Sequence, residues 1–180
     1  MNLIEIISTR RSIRKYEDRQ ISEAVLTQVL EAVRWAPSWA NTQCWEIVII
    51  RDMEIRKQLQ ATLPPKGNPA HGAMVQAPVL LGLCGKLNIS GFYKGQMTTQ
   101  LGDWYMFDLG LAAQTLCLAA HESGLGTVIV GAFDHNRAQK ILKVPEDYQL
   151  LAFIPIGYPA KKSAAPKRKT IEAFTRNDTF

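Results

Sequence analysis

Four cationic residues lie close together near the N-terminus, in the stretch "ISTRRSIRKY" at residues 7–16: Arg10, Arg11, Arg14 and Lys15. Like charges at this spacing repel one another, although water and salt reduce the cost. An anion bound among them would remove the repulsion, so these residues are candidate ligands for an anionic molecule. The alternative is a solvated loop that binds nothing.

Two further stretches carry groups that could contact a ligand. The stretch "APSWANTQCW" at 36–45 places the small and amide side chains of Ser38 and Asn41 next to Trp39. Its structural alternative is a turn stabilised by Asx hydrogen bonds. Near the C-terminus, "PKRKTIEAF" at 166–174 holds a second cationic cluster, which as an ordinary tail would only keep the protein in solution.

Several common types of catalytic site are excluded because their sequence motifs are absent. The chain contains no G-x-x-x-x-G-K-[ST] loop and no G-x-S-x-G elbow. "SGLGTVIVG" is not a dinucleotide fingerprint, because Ile129 stands where the third glycine belongs. The three histidines lack metal-binding spacing, and no convincing acid–base pair is found. This pattern favours chemistry that a bound cofactor carries.

Composition places the chain among ordinary globular proteins, with 47% hydrophobic and 21% charged residues. We therefore expect a single domain over residues 1–180. The net charge of +5 is compatible with anionic ligands or nucleic acid. Three scattered cysteines in apolar stretches predict buried thiols and a reducing compartment. The start lacks signal-peptide features, and the apolar run 109–120 is too short for a membrane span, so we expect a cytoplasmic protein.

The periodicity of apolar residues predicts the elements that must position these stretches. Short and amphipathic helices are expected at 2–9, after an N-cap at Ser22, after Asp52 to about residue 63, and after Asp134. Strands are expected at 45–52, 77–84, 126–133 and within 148–159. The longest helix, at about 98–123, is apolar nearly all round and should end at Gly124. The result is an α+β layout.

The order of these motifs along the chain resembles the nitroreductase family of flavin enzymes. The resemblance rests on "STRRSIRKY", then "APSWANTQCW", then "DLGLAAQTLCLAAHESGLGTVIVGAF", "VPEDYQLLAFIPIGYP" and the closing "KRK". It covers nearly the whole chain. It implies a nitroreductase-like fold: a central, mostly antiparallel sheet flanked by helices, with a long buried central helix at a dimer interface.

The resemblance also implies a non-covalently bound FMN and assigns residues to it. Arg10 and Ser12 would hold the phosphate, with Arg11 near the phosphate and ribityl chain, and Arg14 along the pyrimidine edge of the ring. Lys167 and Arg168, or Lys169 in an alternative register, would complete the phosphate clamp, for which guanidinium groups have suitable geometry.

Other residues would approach the flavin ring. Val130 and Gly131 match the place where backbone groups lie near N5, and Pro37, Ser38, Trp39 and Asn41 match a segment that reaches the flavin of the partner subunit. The family forms homodimers with both flavins at the interface. NADH or NADPH would reduce the flavin, and a small organic acceptor such as a nitroaromatic or quinone would then be reduced at the same face, in a ping-pong cycle.

Some assignments stay open at this point. Candidate substrate-face residues, with packing as the equal alternative, are Phe92, Tyr93, Trp104, Tyr105 and Asp108; candidate amides for the pyrimidine edge are Asn68 and Gln76.

Three rival functions also stay open. A specialised relative would remain an enzyme but act on one small aromatic or halogenated metabolite. A flavin-holding sensor or storage protein would keep the fold without turnover. A nucleic-acid-binding protein would use the basic charge, but the cations form two clusters at opposite ends and no recognition motif is present. We therefore expect neither nucleic acid nor membrane as a partner.

Overall fold

The computed structural model of the protein describes residues 2–161 and 163–180, and the elements below are those of this part of the chain. In chain order they are α1 (Leu3–Thr9), α2 (Glu23–Arg34), β1 (Trp45–Ile50), α3 (Met53–Gln60), α4 (Ala73–Gln76), β2 (Val79–Lys86), β3 (Phe92–Tyr93), β4 (Gln96–Met97), α5 (Tyr105–Glu122), β5 (Gly126–Thr127), α6 (His135–Leu142) and β6 (Tyr148–Gly157).

Side-chain caps begin three of the helices at the residues that the sequence predicts. The hydroxyl of Ser22 accepts from the N–H of the third residue of α2, and the carboxylates of Asp52 and Asp134 do the same for α3 and α6. Each cap satisfies a backbone donor that the first helical turn leaves unpaired. Just after the C-terminal end of α5, Gly124 takes the left-handed conformation, with φ of +76°, as predicted.

The main sheet has the strand order β1-β2-β6-β5, and each neighbouring pair is antiparallel. Strand β2 is central and buried on both faces, which explains its continuous run of apolar residues. Strands β3 and β4 form a separate hairpin. The predicted α+β class with a mostly antiparallel sheet is therefore confirmed.

Helix α5 lies in the core, as its apolar sequence predicts. Its buried residues Leu109, Ala112 and Leu116 belong to the same apolar cluster as those of α2 and of one face of the sheet. A second cluster on the other side of the sheet contains Phe153 and residues of α3, α4 and α6. The second cluster also includes Ile13 and Tyr16, in the stretch that follows α1.

Two predicted boundaries were wrong. Helix α5 begins at Tyr105 rather than near residue 98, because residues 98–104 close the hairpin: the N–H of Thr98 donates to the carbonyl of Gly91 over 2.9 Å. The expected strand at 126–133 is reduced to Gly126–Thr127. Beyond it only Val130 pairs with β6, through an isolated bridge to Phe153, since the chain turns away from the sheet.

The three cysteines are free and buried, as predicted. Within residues 2–161 and 163–180, no helix combines the length and apolar character needed to cross a membrane.

Candidate functional site

The cationic stretch after α1 is an extended segment held along the edge of the fold. The N–H of Ile13 donates to the carbonyl of Thr127 over 2.8 Å, and Ser12 forms a parallel bridge with the same residue. In an extended segment alternate residues share a face. With Ile13 buried, Arg10, Ser12 and Arg14 line a common cavity of about 440 Å³, and Arg11 also reaches it.

The C-terminal tail closes this cavity from the other side. Ser163, Pro166 and Arg168 line it, and the hydroxyl of Ser163 donates to the carbonyl of Ser12 over 3.3 Å. The structure thus brings the two cationic clusters of the sequence together. Arg168, rather than Lys167 or Lys169, is the cation of the tail that lines the cavity.

The charges in this cavity have no acidic counterpart. Among residues 2–161 and 163–180, no carboxylate forms an ion pair with Arg10, Arg14 or Arg168. Arg11 lines the cavity as well, and its guanidinium also donates to the carbonyls of Ser8 and Arg10, each over 2.7 Å, and so caps the end of α1. We name the cavity lined by Arg10, Arg11, Ser12, Arg14, Ser163 and Arg168 the arginine cavity.

A second cavity of about 480 Å³ adjoins the arginine cavity, and Arg14 lines both. Its walls are the loop 64–70 and the stretch 128–132. We name it the adjoining cavity. Its charged lining residues are Arg14 and Lys66, so it too is cationic.

Val130 and Gly131, predicted together, differ in what they can offer a ligand in the adjoining cavity. Val130 is buried, and its N–H and carbonyl both bond to Phe153, over 2.8 and 2.9 Å. Gly131 is exposed, and in the described part of the chain its N–H has no hydrogen-bond acceptor. A Cβ built on Gly131 would meet no atom within 4 Å, so the missing side chain leaves this wall open.

The two candidate amide residues, Asn68 and Gln76, lie in different places. Asn68 lines the adjoining cavity, where its side-chain amide donates to the carbonyl of Ala132 over 3.4 Å and its oxygen accepts from the N–H of Ala70 over 3.0 Å. Gln76 is exposed at the end of α4 and is not among the lining residues. The amide at position 68 is thus the one that the geometry places beside the cations.

The segment 37–44 lies apart from both cavities. Pro37, Ser38 and Trp39 instead line a shallow pocket of about 200 Å³ together with residues of α5. Within one chain the structure therefore does not bring the predicted segment to the arginines. Three non-glycine residues in it, Ala40, Asn41 and Gln43, have positive φ, an uncommon conformation that needs support from its surroundings.

The candidate substrate-face residues take different positions. Trp104 packs against Trp39, with ring centroids 5.1 Å apart, and against Phe107 at 5.3 Å. Asp108 is fully buried and so cannot itself face a substrate. Tyr93, at the tip of the hairpin, is exposed, and Phe92 and Tyr105 are half-buried. Phe107, which sequence reasoning missed, is 58% exposed on α5.

His121 was also missed, and it lies beside the cationic stretch. Its Nε2 is 2.9 Å from the hydroxyl of Thr9, at the end of α1. Partial burial lowers the pKa of His121 below its usual value, and the charges of Arg10 and Arg11 lower it further. The pKa of His121 therefore depends on the net charge near Arg10 and Arg11.

Known proteins resemble this chain over most of its length. The model of the nitroreductase family matches residues 7–158. An FMN reductase [NAD(P)H] of Bacillus subtilis is 31% identical over 189 residues, covering 99% of this chain and 74% of that protein.

Solved structures share the fold. A nitroreductase family protein from Clostridium novyi NT is 25% identical with a TM-score of 0.79, over 91% of this chain and 89% of the other. An FMN-dependent nitroreductase from Clostridium difficile R20291, 24% identical, has a TM-score of 0.81 over 99% of this chain and 100% of the other, and at that identity shows the fold.

Proposed function

Since the chain belongs to the nitroreductase family, we propose that it passes electrons from NADH or NADPH through bound FMN to a small organic acceptor. It is an FMN-dependent NAD(P)H oxidoreductase. The observation that carries the proposal is the pair of joined cavities. One is lined by arginines that form no ion pair with any described carboxylate, and the other is cationic and open at Gly131.

The arginine cavity fits the phosphate of FMN. A phosphomonoester carries close to two negative charges at neutral pH and three acceptor oxygens. Arg10 and Arg168 approach from opposite ends of the chain, and Ser12 adds a hydroxyl donor between them. Hydrogen bonds from guanidinium to phosphate oxygens are strong because both partners are charged. Bound phosphate would also remove the repulsion between the cations.

The adjoining cavity fits the ring of the flavin. Arg14 lies where the two cavities meet, so it would stand beside the pyrimidine edge of a ring whose phosphate is held next door. A cation there stabilises the negative charge that the reduced ring gains near N1 and O2. The N–H of Gly131 and the side chain of Asn68 lie in the wall of this cavity, where they would be available to the ring, with Gly131 as a donor toward N5.

When bound, FMN would supply the redox chemistry, and use of one face by both the nicotinamide donor and the acceptor would make the cycle ping-pong. The residues of the chain bind, orient and polarise the cofactor. No acid of the protein is required, because solvent can supply the protons.

We further propose a homodimer in which the segment 37–41 of one subunit reaches the flavin of the other. The position of this segment supports the proposal, because its residues line neither the arginine cavity nor the adjoining cavity of their own chain. Exposed apolar residues support it too: Leu3 and Ile4 on α1 and Met106 and Phe107 on α5 are each more than half exposed. Such residues are typical of surfaces that a partner covers.

The test is a visible spectrum of the purified protein, followed by separate additions of NADH and NADPH without oxygen. We expect flavin absorbance that bleaches with at least one donor, parallel double-reciprocal lines in steady-state kinetics, and twice the mass of one chain by light scattering. Flavin that neither donor reduces would favour the sensor or storage role. A colourless protein that takes up no added FMN would overturn the proposal.

A further inference from the structure

The carboxylate of Asp108 is buried in the first turn of α5, with none of its surface exposed. No cation pairs with it among residues 2–161 and 163–180. Such a charge is tolerated only when hydrogen bonds replace the water that it has lost. Asp108 therefore depends on the neutral donors around it.

Those donors come from two other segments of the chain. The backbone N–H of Trp39 donates to both carboxylate oxygens, over 3.0 and 3.2 Å. The hydroxyl of Ser90 donates over 2.6 Å, and that of Thr42 lies at 3.5 Å. One carboxylate thus holds together α5, the segment 37–44 and the turn after β2.

The thiol of Cys44 is a further neutral donor, with its sulfur 3.6 Å from Oδ2 of Asp108. Burial, and after it the charge of Asp108, raises the pKa of Cys44 to about 12. The thiol therefore keeps its proton at neutral pH and can donate it in the hydrogen bond. The segment 37–44 is bonded to the carboxylate at its start and at its end.

Between these two attachments lie the residues with positive φ: Ala40 at 43°, Asn41 at 57° and Gln43 at 49°. Non-glycine residues in this region cost of order 1–3 kcal/mol each and persist only when the surrounding structure holds them. Inside the segment, the hydroxyl of Ser38 accepts from the N–H of Gln43 over 2.9 Å. The bonds to Asp108 secure this strained turn to the rigid helix α5.

We propose that Asp108 is a positioning residue for the flavin site of the partner subunit. Its carboxylate fixes the turn that carries Ser38, Trp39 and Asn41, and the turn contacts the flavin that the arginine cavity of the other chain holds. This inference rests on the proposed function, because it needs FMN at a dimer interface. It adds a residue that touches neither cofactor nor substrate and acts across the interface.

The first test is Asp108→Asn, which keeps the shape of the side chain but removes its charge and half of its acceptor capacity. We expect FMN to bind about 10- to 100-fold more weakly, the cost of weakening hydrogen bonds to a buried charge. The matched control is Asp103→Asn. Asp103 also accepts from backbone N–H groups, those of Asn88 and Tyr105. Within the described residues no hydrogen bond joins it to the segment 37–44, and its charge is only a minor cause of the raised pKa of Cys44, so FMN affinity should stay within about twofold.

Mixed dimers separate positioning across the interface from a merely structural role. Two differently tagged chains are co-expressed, and dimers carrying both tags are isolated. One mixed dimer joins an Arg10→Glu chain to an Asp108→Asn chain. The other joins a chain with both substitutions to a wild-type chain. Bound FMN per dimer is then titrated.

If Asp108 acts across the interface, the first mixed dimer keeps one intact site. That site combines the arginine cavity of the Asp108→Asn chain with the turn of the Arg10→Glu chain, so one FMN should bind with wild-type affinity. The second mixed dimer should have no intact site. If Asp108→Asn gives no folded dimer, Ser90→Ala replaces it in both mixed dimers, and the same pattern is expected with a smaller, roughly fivefold, effect.

The reverse pattern, with the intact site only in the second mixed dimer, would overturn the inference, because Asp108 would then serve the flavin of its own chain. Equal loss in both mixed dimers, or wild-type affinity in Asp108→Asn, would also overturn it. In each of these cases the wild-type protein still binds FMN. A wild-type protein that binds none would instead overturn the proposed function, and this inference with it.

Discussion

The arginine cavity and the surroundings of Asp108 handle charge in opposite ways. Arg10, Arg14 and Arg168 face a cavity, and the described chain gives them no carboxylate. Asp108 is buried, and the chain itself supplies its donors. In the first region the protein leaves charge for something outside the chain to neutralise. In the second it uses charge to hold its own segments together.

The difference also lies in solvation. The cations are partly or fully exposed, so water stabilises them when no ligand is bound. Asp108 has no exposed surface, so hydrogen bonds from the protein must take the place of its hydration. Substitutions in the arginine cavity should therefore change ligand affinity with little effect on stability. Substitutions at Asp108 should reduce the stability of the fold in addition to FMN affinity.

The largest effect should come from reversing a charge in the arginine cavity. We expect Arg10→Glu to weaken FMN binding at least about 100-fold, because one charge-assisted hydrogen bond is lost and a repulsive charge is added. Quenching of flavin fluorescence during titration measures the affinity. The control is Lys15→Glu, an exposed residue of the same stretch that lines neither cavity. Equal losses in both variants would show that only net charge matters.

Removal of the buried carboxylate should instead reduce stability. Asp108→Ala leaves the buried donors of Trp39 and Ser90 unpaired, which should lower the free energy of unfolding by about 2–4 kcal/mol. Arg14→Ala, in the same FMN-free protein, should change it by less than about 0.5 kcal/mol. Urea unfolding measures both. If Arg14→Ala costs as much as Asp108→Ala, the distinction between the two regions fails.

A pair of glycines extends the comparison to packing. Gly126→Ala should destabilise the protein by about 1–3 kcal/mol, because its new Cβ would lie 2.5 Å from a side-chain carbon of Ile13. Gly131→Ala should leave stability unchanged, since its Cβ enters open space, and should reduce FMN affinity several-fold. Thermal unfolding and FMN titration of both variants test this; destabilisation by Gly131→Ala would contradict it.

The smallest effect is a shift in the titration of His121. In the FMN-free protein its pKa lies below 6.5, partly because Arg10 and Arg11 are close. A bound phosphate would offset their charge and raise that pKa. NMR titration of the imidazole with and without FMN measures the difference, and an unchanged value would place the phosphate elsewhere.

The lowered pKa of His121 also determines how its contribution to the stability of the fold changes with pH. Because the folded-state value is lowered, the contribution of His121 to stability is present above pH 6.5 and is lost as the pH falls toward that lowered value. In His121→Gln the FMN-free protein should lose less stability over this range.

Features set by neighbouring residues could be predicted from the sequence. The caps at Ser22 and Asp52 need only a polar side chain three residues before a helical N–H, so local pattern suffices. The end of α5 at Gly124 is equally local. The start of α5 is not, because residues 98–104 are held by bonds to the turn after β2 rather than by their own propensity.

The same distinction applies to the candidate site. The residues of the arginine cavity could be predicted, because their cations lie close together in two short stretches of the sequence. Asp108 could not be interpreted in that way: its donors lie 69 residues before it, at Trp39, and 18 residues before it, at Ser90. Only the fold shows that a carboxylate in an apolar helix is an anchor for a turn.

The most direct test of the central claim compares FMN with riboflavin, which has the same ring but no phosphate. If the arginine cavity holds the phosphate, FMN should bind at least about 100-fold more tightly than riboflavin, and the ratio should fall toward one in Arg10→Glu. Equal affinities of the wild-type protein for the two flavins would contradict the account, because the arginines would then have no part in holding the cofactor.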